Sequence, residues 1–161
     1  VDAYQDITIP FQMSSVEFFN MVKDHLTENG VMVVNMNMRG SGERNINQYL
    51  ADTIASVFGT VYTADVKGST NRELFASNQE DMLDTLKNNA GNLANADLQN
   101  MMLAVADTST QYDGGDYIMT DDKAPVELLG MQVIDQVIKE EVAYYKGIYE
   151  EQGLDGLLQS L

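Results

Sequence analysis

Carboxylates are the side chains this sequence offers most freely for chemistry. Asp113, Asp116, Asp121 and Asp122 crowd into the stretch YDGGDYIMTDDKAP, and Asp2 and Asp6 flank Tyr4 in the opening VDAYQD. A carboxylate attracts cations, can hold an ammonium group and can take its proton. An alkylamine, with an unperturbed pKa near ~10, is such a cation at neutral pH. The Tyr4 ring or hydroxyl would add a second way to orient it. The plain alternative for Asp2 is a strand-end or turn aspartate, and helix capping accounts for part of Asp121 and Asp122. The loop lacks the order of oxygen ligands and the glycine of an EF-hand, so no metal is expected there. Gly40 and Gly42 suggest a dinucleotide loop, but Asn45 stands at the third glycine position and Glu43 would face the phosphates. A turn is the better account. His25, the sole histidine, falls late in a helix, where the dipole favours a cation, and reads as structural.

The elements that must position these groups follow from the apolar pattern. Ser14 and Glu17 have the spacing of a capping box ahead of a helix whose face carries Phe18, Phe19, Val22 and Leu26, with Gly30 as its left-handed stop. Residues 31–38 begin as a continuous apolar run, which predicts a central strand covered on both faces, as in a parallel sheet. Asn45 and Gln48 open a second helix with Tyr49, Leu50, Ile54, Val57 and Phe58 inward. Two short strands, 61–66 and 72–77, are joined by the polar turn KGSTN. A helix between strands makes parallel neighbours, so strand 31–38 should run parallel to a short strand ending near Asp2, and strand 72–77 antiparallel. Beyond Ser77 the pattern turns helical. Leu83 and Leu86, then Leu98, Met101, Met102 and Val105, mark two modest helices. Pro125 suits the first turn of the longest one, whose stripe is Val126, Leu129, Val133, Val137, Tyr144 and Ile148.

Composition narrows the function classes. A chain of 161 residues, 44% hydrophobic, has enough material for a real core. The net charge of −16, from 25 acidic and 9 basic residues, repels phosphate backbones, so nucleic acid is not an expected partner. It attracts metal ions or polyamines, or simply maintains solubility. The absence of cysteine rules out disulfides and thiolate chemistry and suits a reducing compartment. No charged-then-apolar leader follows Val1 and no apolar run approaches the ~20 residues that cross a bilayer. A cytoplasmic protein without membrane contact by this segment is expected.

The phrases DAYQDITIP, SSVEFFNMVKDHLTENGVMVVN and TDDKAPVE, in that order, resemble the spermidine synthases, a polyamine aminopropyltransferase family. The resemblance implies an α/β fold: the C-terminal half of a Rossmann-type, methyltransferase-like sheet in residues 1–77, followed by a helical tail in residues 78–161 packed on it. It implies transfer of an aminopropyl group from decarboxylated S-adenosylmethionine to a polyamine such as putrescine, with the Gly-rich loop and ribose-binding acid upstream of Val1. Asp2 matches the family's catalytic base, and Ile9, Pro10 and Phe11 match the stretch lining the adenine, while the Tyr4 ring or hydroxyl would orient the amine. A hydrophobic staple into the first helix is an equal account of those last three. The family commonly shows two aspartates with two residues between them; here Asp2 and Asp6 have three. Asp6, Asp121 and Asp122 are the expected contacts to the cationic amine. A methyltransferase of the same fold and a non-catalytic assembly domain are the alternatives. Half a sheet leaves an open edge, so a homo-oligomer covering the edge beside residues 1–6 is expected.

Overall fold

In the computed structural model, residues 9–36, 44–69 and 71–160 are described. A 3-10 turn at Phe11–Met13 leads into α1 (Val16–His25), β1 (Val31–Met36), α2 (Ile46–Val57), β2 (Thr60–Asp65) and β3 (Arg72–Ser77). The helical pair α3 (Met82–Gly91) and α4 (Ala96–Thr108), the two-residue strand β4 (Thr110–Gln111) and the long α5 (Val126–Ser160) complete the order.

The four strands stand in the order β1-β3-β2-β4, and each described neighbour pair is antiparallel. Because β1 and β2 are both antiparallel to β3, they run in the same direction, with α2 as their crossover and β3 inserted between them. The antiparallel setting of strand 72–77 is as the sequence suggests; strand 61–66 lies one place further out. The parallel partner expected near Asp2 falls outside the described residues, and β1 stands at the end of the described sheet. The Rossmann-type reading therefore narrows here to a mixed α/β chain with an antiparallel four-stranded sheet and a helical tail.

One sheet face carries the core. Met32, Val34, Met36, Leu74 and Ala76 meet Phe19 of α1, Leu50 and Ile54 of α2, and Val126, Leu129 and Val133 of α5. Burial of each large side chain contributes about 1.5–3 kcal/mol. The other face is only partly covered, by α3 and α4. Val31 and Val33 remain 41% and 40% exposed, which corrects the expectation of a strand covered on both sides. Alternation, not the apolar run itself, decides which of these valines is buried.

Local chemistry moves three boundaries. Ser15, not Ser14, caps α1 and accepts from the Phe18 N–H at 3.2 Å, while Ser14 donates to the Phe11 carbonyl. Glu17 is then free of the capping box and serves the loop described below. Helix α1 stops at His25, before Gly30; that glycine is needed for close approach, since a Cβ there would lie 2.8 Å from Leu26 Cβ. Asn45 does cap α2, accepting from Gln48 N–H at 2.9 Å. In α5 the inward stripe holds only through Val133. Val137 and Tyr144 are exposed, and Gly153, at φ 67°, breaks the helix into two. Periodicity alone therefore overstated the burial of the stripe beyond its second turn.

Candidate functional site

The stretch from Tyr112 to Pro125 contains little regular structure, yet it is tied down along its length. Its main anchor is Asp52, on the inner side of α2 and 1% exposed. The Tyr112 hydroxyl donates to Asp52 Oδ1, and the Tyr117 N–H donates to Oδ2 at 3.0 Å. Gly115 must be a glycine for this approach, because a Cβ would lie 2.7 Å from Asp52 Oδ2. Gly114 supplies the turn, at φ 79°, where other residues are strained. Next along the loop, Met119 N–H donates to Thr53 Oγ1 at 2.9 Å, and the fully buried Met119 side chain joins the core. Tyr117 stacks on Tyr49 with centroids 4.9 Å apart and accepts from Arg44 Nε at 3.1 Å. Burial, together with the hydrogen bond to Asp52, pushes the Tyr112 hydroxyl above its usual range.

The far end of the loop is held by the start of α1. Val16 N–H donates to the Met119 carbonyl at 2.9 Å, Ser15 Oγ donates to Asp121 Oδ1 at 2.5 Å, and Asp121 N–H donates to Glu17 Oε2 at 3.0 Å. Thr120 and Lys123 close a small turn by exchanging backbone hydrogen bonds. These bonds bring Asp121 and Asp122 beside Phe11, more than a hundred residues away in sequence. Together with Pro125, Glu127 and Leu128 they line an open pocket of about 410 Å³. The Phe11 side chain is 43% exposed there, whereas Ile9 is buried in the core. Pro10 precedes the 3-10 turn and accepts from Met13 N–H through its carbonyl.

The site residues read from the sequence thus divide. Phe11, Asp121 and Asp122 share one pocket; Ile9 belongs to the packing. Asp2, Tyr4 and Asp6 lie outside the described residues, as do Gly40 and Gly42. Asp113 and Asp116 flank the glycines nearer the Asp52 anchor and do not line the pocket. Among the described residues, no three His, Cys, Asp or Glu side chains gather to hold a metal ion. Nor is any described helix long and apolar enough to cross a membrane. What the sequence reading missed is Asp52. The signal was present: it is the only charged residue between Arg44 and Asp65, in an otherwise uncharged helix and strand.

A pocket with carboxylates at its rim and an aromatic ring in its wall suits an organic cation. A probable polyamine aminopropyl transferase from Bifidobacterium longum (strain NCC 2705) is 49% identical over 178 aligned residues that take in this whole chain. The chain is related to the polyamine aminopropyltransferases. It spans 40% of the length of that relative, a share consistent with the C-terminal part of a family member. No family model matches the chain. No solved structure matches it either.

Proposed function

We propose that the intact protein moves an aminopropyl group from decarboxylated S-adenosylmethionine to an amine such as putrescine, and that this segment serves the acceptor side. The observation that carries the reading is the 49% identity, over the whole chain, with a protein named as a polyamine aminopropyl transferase. The pocket supports it with suitable chemistry. Asp121 and Asp122 supply negative charge for the ammonium group, and the Phe11 ring supplies an apolar and cation-attracting wall. Of the residues expected against the adenine, Ile9 is buried in the core and Phe11 lines the amine pocket, so the nucleotide site would come mainly from elsewhere in the intact protein. Asp2 fits the role of general base in this scheme. The amine must lose a proton before its lone pair can attack the carbon beside sulfur, and a carboxylate can take it.

The test is steady-state kinetics of the intact protein with Asp122→Asn and with Phe11→Ala. Each should raise the KM for putrescine about 5–30-fold, the loss of one modest polar or cation–aromatic contact of about 1–2 kcal/mol. Unchanged KM for putrescine in both variants would remove the pocket from the acceptor site.

A further inference from the structure

The carboxylate rim of the amine pocket is held from the start of α1. Ser15 is fully buried there, and its Oγ makes two bonds. As the cap of α1 it accepts from the Phe18 N–H at 3.2 Å, which leaves its own proton to donate to Asp121 Oδ1 at 2.5 Å. Glu17, exposed in the first turn of α1, accepts from the Asp121 N–H at 3.0 Å through Oε2. Asp121 is thus gripped at side chain and backbone alike. The neighbouring Ser14, also fully buried, donates to the Phe11 carbonyl at 2.7 Å. The ring wall and the carboxylate rim of the pocket are therefore both fixed from one point of the chain.

Other bonds already keep the loop down. Asp52 and Thr53 hold its first half, and the Val16 N–H donates to the Met119 carbonyl just before the Asp121 turn. What Ser15 and Glu17 add is the orientation of a single residue, Asp121, at the pocket. A carboxylate has two oxygens, so one can be held by a protein donor while the other meets a ligand. A side chain fixed beforehand also loses less rotamer freedom when it binds an ammonium group. We propose, on the acceptor reading of this pocket, that Ser15 and Glu17 are positioning residues for the amine. Ser15 Oγ holds Asp121 Oδ1 so that Oδ2 meets the ammonium group, and Glu17 fixes the backbone from which that side chain projects.

The test is steady-state kinetics of the intact protein, with KM measured separately for putrescine and for decarboxylated S-adenosylmethionine. Ser15→Gly removes the hydroxyl at small cost to the helix, since glycine caps nearly as well as serine. It should raise the KM for putrescine about 3–10-fold, the usual net worth of one hydrogen bond, and leave the KM for the nucleotide unchanged. General weakening of the fold would not separate the two. In an Asp121→Ala protein the same change should add less than ~2-fold, because the group it positions is gone. Glu17→Ala alters an exposed side chain and gives a second measure should Ser15→Gly fold poorly. It should raise the KM for putrescine by a similar factor, and Glu17→Gln, which keeps an acceptor oxygen, should recover most of the loss. An unchanged KM for putrescine in Asp121→Ala would remove the pocket from the acceptor site, and the positioning role with it. A KM raised by Asp121→Ala but not by folded Ser15→Gly or Glu17→Ala would overturn the positioning role alone. So would a Ser15→Gly effect undiminished without the Asp121 carboxylate.

Discussion

Asp2→Asn in the intact protein is expected to lower aminopropyl turnover by about 10²–10⁴, the usual contribution of a positioned general base. The amide keeps the volume of the carboxylate but cannot accept the amine's proton or balance the ammonium charge. Loss of that charge also misplaces the acceptor, so the effect should appear in kcat and not merely in the KM for putrescine. Fold and affinity for the nucleotide should stay nearly intact, because an isosteric change at one side chain leaves the nucleotide's other contacts alone. Tyr4→Phe should cost less, since the ring remains. Steady-state rates of spermidine formation, with thermal denaturation as the folding control, make the comparison. An Asp2→Asn protein with full turnover would remove Asp2 from the proposed chemistry.

Asp52→Ala should have the largest effect on stability. It strips the acceptor from two donors at once, the Tyr112 hydroxyl and the Tyr117 N–H. Leaving buried donors unpaired costs about 1–3 kcal/mol each, so a loss of about 2–5 kcal/mol is expected in urea unfolding. Asp52→Asn retains one acceptor oxygen and should lose about half as much, since its NH2 faces one of the two donors. Because the loop is anchored here, Asp121 and Asp122 should lose their place beside Phe11 as well. A pH series separates this interaction from general weakening. The Tyr112 hydroxyl ionises less readily in the fold than its ordinary value of 10.0, by burial and by its bond to Asp52. A group whose folded value is raised stabilises the fold fully below its unfolded value and loses that contribution as pH rises above it. Stability should therefore fall above pH ~10 more steeply in the unaltered protein than in Tyr112→Phe. Parallel alkaline slopes, or an Asp52→Ala protein as stable as its parent, would mean that this anchor does not hold the loop.

Much of the element order is legible in the sequence because it rests on local rules. Asn45 caps α2, the KGSTN turn joins β2 to β3, and α3 and α4 fall where Leu86 and Met102 give helical spacing. Sheet order was not legible from local rules. That β3 inserts between β1 and β2 is set by the long-range pairing of Val33 with Phe75, which no short window of sequence contains. The same limit explains α5. Its apolar stripe is genuine, but whether Tyr144 is buried depends on what lies opposite, not on period. At the site, charge clustering pointed to Asp121 and Asp122, and the family resemblance pointed to Phe11; their meeting required the loop to fold back. Asp52 was overlooked because helical stripes reward apolar residues, and its isolated charge between Arg44 and Asp65 gains a meaning once Tyr112 and Gly115 are placed against it.

Product identity separates aminopropyl transfer from methyl transfer by the intact protein. Intact protein would be given putrescine with an equal mixture of S-adenosylmethionine and its decarboxylated form, and the products separated by mass. Spermidine and methylthioadenosine in equal amounts are expected, with consumption of the decarboxylated form alone and no methylated amine. Methylated putrescine without spermidine, from protein shown to be folded, would contradict aminopropyl transfer.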